Sequence, residues 1–142
     1  MSRSIAEKMY LKPGMRAYVA GAPGSFLSTI KAPDLAISKV QDGEFDYIHL
    51  FVRDQTAMVK HFGGLKSHLA QGGALWVSWP KGRQCGTDLN LHEVIRIGYE
   101  HGLVESTCVS IDDTWSALRF THPKPGKAYA NSHAELVMGG SD

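Results

Sequence analysis

Apolar residues in this chain fall into two rhythms. Short, nearly continuous apolar runs recur at MRAYVA (15–20), FDYIHLFV (45–52), ALWVSW (74–79) and WSALRF (115–120), the density of strands covered on both faces. LVESTCVSI (103–111) reads as another strand, and DLAISKV (34–40) as a short second one. Between them the period lengthens. From Asp54, a candidate N-cap, Met58, Phe62, Leu65 and Leu69 fall at i, i+4, i+7 and i+11, one helix face that Gly72–Gly73 would end. Gly63–Gly64 inside that run cost the helix about 1 kcal/mol each. Asn90-x-x-Glu93 reads as a capping box ahead of inward-facing Leu91, Val94, Ile95 and Gly98, with Gly102 as the stop. SIAEKMYLKPG (4–14) predicts a leading helix halted by Pro13 and Gly14, and FLSTI (26–30) one or two helical turns.

Alternating strands and helices predict a mostly parallel sheet flanked by helices. The last two strands, joined at Asp112–Asp113, are close enough for an antiparallel hairpin. Residues 1–121 are expected to form one α/β domain, and 122–142, rich in proline, glycine and small polar residues, a flexible tail. One link is tight. Between Lys39 and Phe45 there is no room for a crossover helix, since each residue spans at most ~3.3–3.6 Å. The second strand must therefore be very short or run antiparallel.

Composition narrows the partners. The 142 residues carry a formal charge of +1, which gives no global attraction to nucleic acid or an anionic membrane. Any basic site must be local. No signal peptide opens the chain and no apolar run nears the ~20 residues of a membrane span. Cys85 and Cys108 belong to no CxxC pair, so a cytoplasmic protein with free thiols is expected. The seven histidines show no HExxH or similar spacing, and no metal is expected.

Several segments together resemble the Rossmann-type methyltransferases that use S-adenosylmethionine. They are the glycine corner VAGAPGSF (19–26), the strand GEFDYIHLFV, the leucine-GG-strand turn of LKSHLAQGGALWVSWP, and the closing hairpin. The likeness implies an abbreviated Rossmann-like fold over residues 12–121. At the corner those enzymes carry an acid followed by G-x-G, and a second acid ends strand two to hold the ribose. Here Gly21 and Gly24 straddle Ala22 and Pro23 with no acid, and Ser38 and Lys39 end strand two. A closer likeness is to a small bacterial family described as a domain of unknown function. It rests on Lys12–Gly14, Ala22–Pro23, Phe45–Asp46, Leu50–Arg53, Gly73–Val77, Trp79–Lys81, Thr87–Leu89, Gly102–Val104 and Asp112–Phe120. It implies the same fold and no particular activity.

In an open parallel sheet, ligands sit outside the carboxyl ends of the strands. The candidate ligand-binding residues there are Gly21, Gly24 and Ser25 as the rim, and Arg53, Lys81 and Arg83 as charge. Trp79 and Trp115 are candidate walls. Trp76 reads as core. The plainer alternative pairs the cations with Asp54, Asp88, Asp112 and Asp113. Ser25 lacks a G-x-S-x-G context and Cys85 lacks a base, so no catalytic group is assigned. Three functions fit: a non-catalytic or cryptic binding protein for an anionic small molecule or a protein partner, a methyltransferase with an altered cofactor loop, or a homo-oligomeric interaction module. The sequence names no cofactor.

Overall fold

A computed structural model describes residues 3–124, 128–130 and 135–137. The chain runs α1 (Ile5–Lys8), β1 (Arg16–Ala20), α2 (Phe26–Thr29), β2 (Ala36–Ile37), β3 (Phe45–Phe51) and α3 (Gln55–Lys66). It continues through β4 (Leu69–Pro80), a 3-10 stretch at Lys81–Gly86, α4 (Leu91–Glu100), β5 (Val104–Ser110) and β6 (Trp115–Thr121). Two short strands, β7 (Ala128–Ala130) and β8 (Glu135–Val137), pair antiparallel with each other within the segment read as a tail. The rest of that tail lies outside the described residues.

The main sheet has six strands in the order β2-β1-β3-β4-β6-β5. The pairs β1–β2, β1–β3 and β3–β4 are parallel, and β6 is antiparallel to both of its neighbours. The mostly parallel sheet with a terminal hairpin thus agrees with the sequence reading. One core lies between the sheet and α3 and α4, built from Ile48, Leu50, Leu75, Val77 and Phe120 with Met58, Phe62 and Ile97. The opposite face carries Ala17, Tyr47, Trp76 and Ala117, covered by Ala6 and Met9 of the leading segment and Phe26 and Ile30 around α2.

The tight link resolves as a very short, parallel second strand. Ile37 pairs with Ala17, and Ala17 in turn pairs with Tyr47, so β2 sits low on the sheet. The chain needs to travel only about 10 Å across two strand spacings and about 7 Å back. Residues 38–44 suffice. Arg16 staples this crossover, donating through Nη1 to Glu44 O at 2.7 Å and through Nη2 to Asp42 O at 2.9 Å. Its guanidinium carbon also lies 4.5 Å from the Phe45 ring centre.

Three local expectations are corrected. The leading helix is a single turn with a Ser4–Glu7 capping box, and the chain leaves it before Tyr10. The third helix ends at Lys66, and Leu69 opens β4 by pairing with Phe45. Gly72–Gly73 therefore lie inside a strand. A Cβ on Gly73 would stand 2.9 Å from the carbonyl oxygens of both Phe45 and Asp46, where the register of the pair shifts. Glycine is kept there for close backbone approach, not as a helix stop. Leu91 is 41% exposed, because α4 turns Val94, Ile95, Ile97 and Gly98 inward instead. Asn90 does cap α4, accepting from Glu93 N at 2.9 Å, but the Glu93 carboxylate is taken by Arg96.

Two helical glycines are held for opposite reasons. A Cβ on Gly98 would fall 2.1 Å from the Phe120 ring, whereas one on Gly64 would meet nothing within 4 Å. Gly64→Ala should gain up to about 1 kcal/mol of helix propensity and raise the melting temperature by a few degrees. Gly98→Ala should lower it, since overpacking costs about 1–3 kcal/mol. Thermal unfolding of the two variants beside the parent checks both signs.

Candidate functional site

The carboxyl ends of β1, β3 and β4 meet beside α2 and the β5–β6 turn. At the first, Gly21 takes a φ of +75°, and a Cβ there would be 2.8 Å from Phe51 O. Gly21 is thus pressed against β3, and its freedom serves the turn. Gly24 has no atom within 4 Å of where a Cβ would stand, so it borders open space. Ser25 precedes α2 without a side-chain cap, and Phe26 N donates back to Pro23 O at 3.0 Å.

Beneath this corner an aromatic belt forms on the α2 face of the sheet. Tyr47, His49 and Phe51 are alternate residues of β3 and project to that one side. Phe26 meets His49 and Phe51 edge-on, each at 4.8 Å between ring centres, and His49 stacks on Phe51 at 4.5 Å. Phe51 then meets Trp115 edge-on at 5.1 Å, and the Arg53 guanidinium lies 5.8 Å from the Trp115 ring centre.

The sequence-derived residues are partly brought together. Arg53 and Trp115 touch, next to the Gly21–Phe51 contact. Trp79 and Trp115 do not share a wall: both are buried, Trp79 in the core under α3 and α4, and Trp115 in the core on the opposite face. Lys81 Nζ donates to Ser110 Oγ at 2.5 Å, and Lys81 N to Thr114 O at 2.8 Å, which ties the loop to the β5–β6 turn. Arg83 stands elsewhere, beside Asp88, Asn90 and Glu93 around a cavity of about 230 Å³ at the start of α4. The four acids named as alternative partners do not form ion pairs with these cations. Asp54 caps α3 through Ala57 N, Asp88 accepts from Gln55 N, and Asp112 accepts from Thr114 N and Trp115 N. Asp113 lends only its carbonyl, to Gln84.

The sequence did not single out the buried chain Tyr47–His49–Ser78. His49 Nδ1 is 2.6 Å from the Tyr47 hydroxyl and Nε2 is 2.6 Å from Ser78 Oγ, with all three side chains buried. Either neutral tautomer satisfies both ring nitrogens. Burial lowers the His49 pKa to about 3 and raises that of Tyr47 well above its ordinary value. His49 is therefore a hydrogen-bonded interior histidine, and it holds the belt together. Among the described residues no group of three His, Cys, Asp or Glu is arranged to hold a metal. Both cysteines are free and exposed, and no helix among the described residues is long and apolar enough to cross a membrane.

No protein-family model and no curated relative matches the chain. Solved structures do. A ribosomal protein L11 methylase from Lactobacillus delbrueckii subsp. bulgaricus aligns with a TM-score of 0.58 and 15% identity, over 84% of this chain and 75% of that one. A TehB-like SAM-dependent methyltransferase from Corynebacterium glutamicum aligns at 0.57 and 12%, over 83% and 85%. The magnesium protoporphyrin IX methyltransferase of Synechocystis, solved with bound SAH, aligns at 0.52 and 12%, over 78% and 75%. The fold is that of the Rossmann-like methyltransferases.

Within that methyltransferase-like fold, the corner after β1 is glycine-built and carries no acid. The positive-φ glycine after β1 and the open rim at Gly24 are in place. No carboxylate ends β1 or β2. Ser38 folds back on its own loop instead, donating to Val40 O and accepting from Val40 N. The acidic contacts of the cofactor in that fold are not supplied by these residues, and no chemical step is assigned to them.

The neutral His49 makes stability depend on pH. Its folded pKa, about 3, lies below the ordinary 6.5, so the unfolded chain takes up a proton that the folded chain refuses. The stabilisation is full above 6.5 and drains as pH falls towards 3, by up to about 1.4 kcal/mol per pH unit. Urea unfolding at a series of pH values should show this acid limb, and His49→Gln should flatten it.

Proposed function

We propose that this chain is an S-adenosylmethionine-binding protein of the methyltransferase type with an altered cofactor loop. The observation that carries the reading is the open rim at Gly24, directly after the β1 corner, in a fold that aligns with those of methyltransferases. Backbone carbonyls around Gly24 and Ser25 would then accept from the ligand's hydroxyl and amino groups, and the Arg53 guanidinium would face its carboxylate. Methyl transfer is the corresponding activity, with the acceptor unassigned.

The missing carboxylates favour a second reading. In it the crevice is non-catalytic and serves an anionic small molecule or a protein partner, including a second copy of the chain. Arg53 remains available for that role through its outer face, while Lys81 is already engaged by Ser110.

Thermal unfolding with S-adenosylmethionine, its demethylated product and inorganic phosphate separates the two. A ligand at ~100 times its dissociation constant adds about 2.7 kcal/mol, a shift of several degrees at this size. Gly24→Leu is the variant of choice, because the position is open and its φ is not in the left-handed region; a change at Gly21 would strain the fold itself. The proposal expects a shift with the methyl donor or its product that Gly24→Leu removes without lowering the ligand-free melting temperature. A shift with phosphate alone would select the second reading, and no shift with any of the three would reject both small-molecule readings.

A further inference from the structure

A second feature lies on the same sheet face, at the opposite end of the parallel strands. Trp76 on β4 and Arg119 on β6 are directly opposed in the antiparallel pair. Trp76 is fully buried, yet its indole Nε1–H has no hydrogen-bond partner, and neither has Arg119 Nε–H. Both side chains line the same narrow cleft of about 40 Å³ beneath the turn that follows α1. The remaining walls are largely apolar, with Met9, Leu11, Met15 and Ala74 among them.

A buried donor without an acceptor costs about 1–3 kcal/mol. Two such donors on directly opposed residues, one of them on a guanidinium, form a deficit of one sign. No ion pair among the described residues involves Arg119. The guanidinium is nevertheless held in position: Nη1 donates to Ser106 Oγ at 3.3 Å, and the Tyr10 ring centre lies 5.5 Å away. Tyr10 takes a φ of +63°, a conformation that L residues rarely adopt, and its ring is half exposed at the edge of the cleft.

What neither donor has is an acceptor. A water molecule would accept from both donors but bring two O–H groups of its own to be satisfied among methionine, leucine and alanine side chains. A carboxylate brings acceptor oxygens only and matches a guanidinium in charge and in planar geometry. Asp46 also lines the cleft, but its exposed carboxylate accepts from Arg16 N through Oδ2 at 3.0 Å and reaches neither Trp76 Nε1 nor Arg119 Nε. We propose that this cleft is a binding site for a small carboxylate, with Trp76 Nε1–H and Arg119 Nε–H as its donors and Tyr10 as its cover. The site is separate from the Gly24 rim and stands or falls independently of it.

The test is a titration of ¹⁵N-labelled protein with formate and with acetate, against sodium chloride at matched ionic strength. The Trp76 indole N–H resonance is identified by its loss in Trp76→Phe. A saturable shift of that resonance with either carboxylate, absent with chloride and abolished in Arg119→Met, is the expected result. If Arg119→Met fails to fold, Tyr10→Ala replaces it, since Tyr10 is exposed; it should change the apparent affinity several-fold without removing either donor. No saturable shift, as when the cleft takes only water, overturns the proposal. So does an equal response to chloride, a shift that survives in Arg119→Met, or an affinity unmoved in Tyr10→Ala.

Discussion

The return from the edge strand β2 to the central strand β3 is the constraint on which this fold turns. It crosses β1 without a helix, so nothing apolar drives it into place. Arg16 does so instead, at the first position of β1. Its backbone N–H binds Asp46, its guanidinium binds the carbonyls of Asp42 and Glu44, and its flat face lies on Phe45. One side chain therefore sets both ends of the entry into β3. Because β3 then pairs with β1 on one side and β4 on the other, its register propagates across the sheet.

A lean first half has consequences for the two faces. On the α3–α4 side, helices of twelve and ten residues supply the core. On the other side α1 and α2 have four residues each, so the sheet fills its own surface with large side chains. Tyr47, His49, Phe51, Trp76 and Trp115 are those side chains. Aromatic residues with polar handles suit such a layer, provided each handle finds a partner. His49 shows the requirement met, with both nitrogens engaged and its charge suppressed. Trp76 and Arg119, a few residues away on the same face, show it unmet. The contrast within one face is what gives the unpaired donors meaning.

The sheet was legible in the sequence because covered strands announce themselves by density and helices by period. Asp54, Asn90 and Gly102 bounded their helices as read, since capping chemistry is local. The misreadings share a cause. Leu69 continues a helical spacing perfectly well, and only the carbonyls of β3 make Gly73 a strand residue. Leu91 looks like the start of an apolar face until the rotation of α4 against Phe120 is known. The pairing of Trp79 with Trp115 failed for a simpler reason: which face a strand residue takes depends on its partner's register, which spacing within one segment does not contain. His49, Tyr47 and Ser78 were visible individually, and the alternation 47, 49, 51 was the available signal that the first two share a face.

The corner after β1 shows how fold and site come apart. Gly21 and Gly24 look alike in the sequence and resemble a cofactor fingerprint together. In the structure one is required by a carbonyl 2.8 Å away and the other by nothing in the protein. A glycine demanded by packing persists whether or not a ligand is bound, so Gly21 carries no information about binding. Gly24 is not demanded in this way, since a side chain there would meet nothing within 4 Å, and its absence keeps the rim clear. The same reasoning applies to the wider likeness. A fold follows from crossovers and burial, and this one aligns with proteins of only 12–15% identity. Carboxylates that grip a cofactor are not needed to fold the sheet, and in this chain they are missing while the sheet stands.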